Sequence, residues 1–103
     1  MTDLHELSER RSLRYHRVIG ERIAADPRLV NRARERVASW LRGGDVAEAY
    51  ARGWDEVLNG PEADLLAFLV DEGERARAFR QVTPFAGALD ARERWRLWAA
   101  EKR

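Results

Sequence analysis

The side chains able to act as nucleophile, general base or soft metal ligand are few in this 103-residue chain. It has no cysteine, two histidines (His5 and His16) and three serines (Ser8, Ser12 and Ser39). Without cysteine there is no thiolate nucleophile, no disulfide framework and no thiolate zinc site. His5 and His16 fall eleven residues apart in one helical stretch. They share a face but stand about 16 Å apart, too far to ligate one metal. The serines lie in helical stretches with no glycine-rich elbow to strain a nucleophile. Gly43-Gly44 lacks the lysine and the spacing of a phosphate-cradling loop. Asp55-Glu56 and Asp71-Glu72 are adjacent in sequence, and side chains one apart on a helix diverge, so neither pair makes an acid–base dyad. The expectation is a non-enzyme without cofactor or metal.

Binding chemistry has more material. Of 19 basic residues 18 are arginine, and Lys102 is the one lysine. This is read either as codon usage in a GC-rich bacterial genome or as selection for bidentate contacts. Residues 1–44 carry a net charge of +4, residues 45–73 of −7 and residues 74–103 of +4. Folding either packs the acidic middle beside the basic ends as weak surface ion pairs or leaves separate faces that steer a charged partner. Arg28, Arg32 and Arg36 make a basic stripe at four-residue spacing, and Arg92, Arg96 and Arg103 make a second. Either could meet nucleic-acid phosphates. No helix-turn-helix is evident, and the helix after Gly43-Gly44 carries Asp45, Glu48, Asp55 and Glu56, which repel DNA. The alternative to phosphate binding is a solvated basic face.

The C-terminal third combines Phe85, Trp95 and Trp98 with Arg80, Arg92, Arg94, Arg96 and Arg103. Tryptophan and arginine are enriched at interface hot spots. Trp95 and Trp98 are three residues apart and are expected on one helical face. Either they close the core, or one is left for an interface with another protein or a second copy of this chain. Phe85, Arg92, Trp95, Arg96 and Trp98 are the candidate partner-binding residues.

These side chains must be positioned by helices, because no stretch alternates like a strand. A first helix is predicted over residues 2–25, with a polar gap at Arg10 and Arg11 that marks a frayed turn or a kink. Asp26-Pro27 breaks it and caps a second helix, which stops at Gly43-Gly44. Asp45 is expected to cap a third, in which Gly53 admits a close neighbour. Asn59-Gly60-Pro61 separates it from a short apolar helix around Leu65, Leu66, Phe68 and Leu69. A helix from Glu74 to about Gln81, an irregular Thr83–Leu89 segment and a last helix capped by Asp90 with Glu93 complete the chain. The prediction is one all-α domain, residues 1–103, of five or six helices, in which residues 1–25 could stand partly detached. No apolar run approaches the roughly 18 residues of a membrane helix, and Met1-Thr2-Asp3 does not begin a signal peptide. A soluble cytoplasmic protein, with no membrane association, is expected.

The stretch from Glu74 to Gln81 (ERARAFRQ), Thr83-Pro84-Phe85-Ala86-Gly87, Arg92-Glu93-Arg94-Trp95 and the stretch from Arg34 to Leu41 (RERVASWL) form a distinctive set. From Asp26 onward the chain resembles a group of short bacterial all-helical proteins similar to the antitoxin or accessory member of two-gene toxin–antitoxin modules. That resemblance implies a non-catalytic domain that binds and masks another protein, such as a toxin encoded nearby. The competing expectation is a small nucleic-acid-binding regulator acting through Arg28, Arg32 and Arg36.

Overall fold

Each break in the pattern becomes a turn in the computed structural model, which describes residues 4–101. Six helices follow one another: α1 (Leu4–Ile23), α2 (Arg28–Gly43), α3 (Glu48–Asn59), α4 (Glu62–Leu69), α5 (Glu74–Arg80) and α6 (Ala91–Glu101). The described residues form an all-α bundle without strands, and no helix among them is long and apolar enough to cross a membrane.

Several helix ends follow the sequence closely. Gly44 takes the left-handed conformation (φ 71°), and its N–H closes α2 on the Trp40 carbonyl at 2.9 Å. Asp26 lies one residue further out than a standard cap, yet its carboxylate accepts the Arg28 N–H at 3.2 Å. Asp90 accepts the Glu93 N–H at 2.8 Å. The Glu93 carboxylate also takes a hydrogen bond from Arg22 of α1. Asp45 does not cap α3. Three residues intervene after Gly44, α3 starts at Glu48 behind Ala47, and no side chain caps it.

α1 is the spine. It packs against α2, α4, α5 and α6, so its C-terminal half is part of the bundle, with Ile19 and Ile23 buried. At its start Leu4 stays exposed. The core gathers on Trp54, which is wholly buried and donates its indole N–H to the Phe79 carbonyl at 3.1 Å. All three phenylalanines of the chain surround it, with ring centroids 5.5 Å (Phe68), 5.9 Å (Phe79) and 6.2 Å (Phe85) away. Edge and tilted contacts of this kind add to the burial of each ring. Gly53 is where the Phe79 ring comes through: a Cβ there would lie 2.3 Å from it.

The irregular segment before α6 is tied down from three sides. Tyr15 donates its hydroxyl to the Phe85 carbonyl at 2.6 Å and accepts the Leu89 N–H at 3.4 Å. Arg36 reaches across from α2 to the carbonyls of Pro84 (3.3 Å) and Ala86 (2.7 Å). His16 is buried beside them. Its Nδ1 faces the Ser12 carbonyl at 2.7 Å, so that nitrogen carries the proton. Its Nε2 then accepts the Thr83 hydroxyl at 2.8 Å, and Thr83 Oγ1 in turn accepts the Phe85 N–H at 3.1 Å. Burial lowers the His16 pKa to about 4, which keeps the ring neutral and this tautomer in place at neutral pH.

Candidate partner interface on the last helix

α6 packs on α1, and its two sides differ accordingly. Glu93, Arg94, Leu97 and Trp98 are half-buried on the inner side, where Glu93 pairs with Arg22 of α1. That hydrogen bond holds the Glu93 carboxyl below the usual carboxylate range. Arg92, Trp95, Arg96 and Ala99 are exposed on the outer side. Their spacing of three, four and seven residues makes them one continuous helical stripe.

The two tryptophans therefore do not share an environment. Positions three apart on a helix differ by about 60° around its axis, and the edge of the buried face passes between them. Trp95 is 62% exposed. Trp98 sits at the α1–α6 seam, with the Arg11 guanidinium 5.3 Å and the Arg94 guanidinium 5.9 Å from its ring centre. Arg11, from the polar gap in α1, is thus a seam residue, which its sequence position alone does not reveal. Cation–π contact with an arginine explains why a polar gap lies opposite an indole.

Phe85 corrects the sequence-based expectation. It is 1% exposed and packed on Trp54, so a docking partner cannot reach it. Its neighbours in sequence are a tied-down loop, and the ties from Tyr15 and Arg36 act over separations of 70 and about 50 residues. Arg80 also leaves the C-terminal surface cluster. It is buried and donates to the carbonyls of Leu69 (3.3 Å) and Asp71 (2.7 Å) at the end of α4. Arg103 lies outside the described residues.

The α2 stripe is partly engaged within the chain. Arg28 makes a two-pronged pair with Asp26, at 2.8 and 3.2 Å. Arg36 holds the loop, and Arg32 is exposed beside it along a shallow cleft of about 180 Å³. Among the described residues, ion pairs between helices join Arg22 to Glu93 and Arg77 to Glu9, linking the two basic end segments to each other. The acidic middle contributes only Glu48, paired with Arg52 inside α3. Between middle and ends the charges meet at longer range, with Asp71 and Glu72 acting on Arg80 of the second basic segment.

Compared with protein-family models, with curated proteins and with solved structures, the chain matches none.

Proposed function

We propose that this chain is a non-catalytic protein-interaction domain, acting like an antitoxin by binding and masking another bacterial protein through the outer face of α6. The observation that carries this reading is Trp95. The fold takes Trp54 fully into the core and partly covers Trp40 and Trp98, yet leaves the Trp95 indole on the surface with Arg92 and Arg96 along the same stripe. An exposed indole flanked by guanidiniums is the composition of a binding hot spot, and it fits an apolar slot rimmed by carboxylates. The α2 stripe supports the nucleic-acid alternative less, since Asp26 neutralises Arg28 and the loop engages Arg36.

The test compares the wild-type chain with Trp95→Ala and Trp98→Ala as tagged baits in lysate of the source cells. One stoichiometric protein should be captured by the wild type, and loss of a hot-spot indole should weaken that complex by about 30-fold or more. Trp95→Ala should keep the circular dichroism spectrum and unfolding midpoint of the wild type. Equal capture by wild type and Trp95→Ala would overturn the assignment. Nucleic acid in the eluate that disappears on a salt wash would transfer it to the α2 stripe.

A further inference from the structure

The N-terminal half of α1 and the end of α5 line a cleft of about 390 Å³, within the size range of small-ligand sites. Arg77 and Arg80 from α5 line it together with His5, Ser8 and Ser12 from α1. A second cleft of about 220 Å³ adjoins it, and Arg77, Arg80 and Glu9 line both. Among the described residues Glu9 is the one carboxylate lining the larger cleft, and Glu6 and Glu72 join it on the adjoining one. It stands 3.2 Å from the His5 ring nitrogen and 3.7 Å from an Arg77 nitrogen, engaging one oxygen with each.

Arg80 is the unusual member. It is 4% exposed, yet among the described residues no carboxylate forms an ion pair with it. Its Nη1 donates to two carbonyls, and the residue lines both clefts. Burial lowers its pKa, and Asp71, Glu72 and Glu9 offset this only from a distance. A guanidinium offers five N–H donors in a plane that matches the oxygens of a carboxylate or phosphate. A buried cation whose direct partners are neutral carbonyls, with carboxylates only further off, leaves room for a counter-charge in contact.

We propose that the cleft between α1 and α5 is a binding site for a small oxyanion, a phosphate or carboxylate group held by Arg80 and Arg77, with the Ser8 and Ser12 hydroxyls completing its shell. Glu9 then acts as the internal competitor. It pairs with Arg77 and yields it when the anion arrives. This site is independent of the α6 face and stands or falls apart from it.

The experiment is an NMR titration of the ¹⁵N-labelled full chain with inorganic phosphate, and separately with acetate, at constant ionic strength set by chloride. Saturable 1:1 shifts centred on the Arg77 and Arg80 side-chain N–H signals and on residues 8–12 are expected with one of the two anions. The anion that saturates identifies the headgroup. Arg77→Gln should weaken binding by about tenfold, the worth of one charge-assisted hydrogen bond. Glu9→Gln should strengthen it several-fold by removing the competitor. Both positions are partly exposed, so the bundle should tolerate the changes. Shifts that stay linear in both anions, or that are the same in wild type and both variants, would overturn the proposal.

Discussion

Position 53 shows what a single missing methyl group permits. In an ordinary helix interior Gly→Ala gains about 1 kcal/mol of helix stability. Here the added Cβ would meet the Phe79 ring at 2.3 Å. That ring cannot swing aside cheaply, because Tyr50, Trp54 and Phe68 hold it, with centroids 5.1, 5.9 and 5.5 Å away. Overpacking a full core costs about 1–3 kcal/mol. Gly53→Ala should therefore destabilise the chain by up to about 2 kcal/mol, read as a lower denaturant midpoint with an unchanged slope. A stabilised variant would mean that the ring yields. The demand for a small residue was legible in the sequence as a glycine inside an apolar helix. The identity of the intruder was not, since Phe79 approaches from a helix 26 positions further on.

At the scale of elements, α6 owes its place to α1 and to the segment that precedes it. The Tyr15 hydroxyl serves two buried backbone groups of that segment at once, the Phe85 carbonyl and the Leu89 N–H. Tyr15→Phe leaves both without this partner, at an expected cost of about 1–3 kcal/mol. The loss should be local. Amide exchange from residue 85 through α6 should accelerate, while the amides at the α2–α3 contact keep their protection, as expected of a separately opening unit. Uniform acceleration over the whole chain would show that the segment and the bundle open together. The ends of most elements were readable from glycine, proline and aspartate, whose effects act within a few residues. Asp45 was the exception, because where α3 begins depends on how far the chain must travel to pack beside α2.

For the molecule as a whole, His16 links folding to pH. The ring is uncharged in the fold, with a pKa of about 4 against 6.5 when exposed. Between these values the unfolded chain binds more protons than the folded one, so stability rises with pH. The stabilisation is complete above about pH 6.5 and is lost progressively as pH falls toward 4. Between pH 7 and pH 5 this group alone should remove about 2 kcal/mol. Unfolding free energies measured for wild type and His16→Gln over that interval should diverge by this amount, the variant being the flatter. Parallel curves would place the acid sensitivity elsewhere. The sequence placed His16 on the first helix without showing that it is buried. Its aromatic neighbour Phe85 comes from 69 positions away, and Thr83, 67 positions away, is the partner that completes its hydrogen bonds.

The helices and their all-α class were set by the sequence itself, because three- and four-residue apolar spacing, a left-handed glycine and proline breaks act over distances shorter than one helix. The tertiary structure decided which aromatic residues those helices hide. Phe85 and Trp95 are aromatic residues ten positions apart in the same C-terminal third, and one is 1% exposed while the other is 62%. Composition does not separate them. The separation comes from Tyr15, Arg36 and Trp54, whose contacts draw Phe85 inward, whereas the side of α6 that carries Trp95 faces away from α1. Burial is a property of meeting surfaces, and those surfaces exist only once distant parts of the chain have come together.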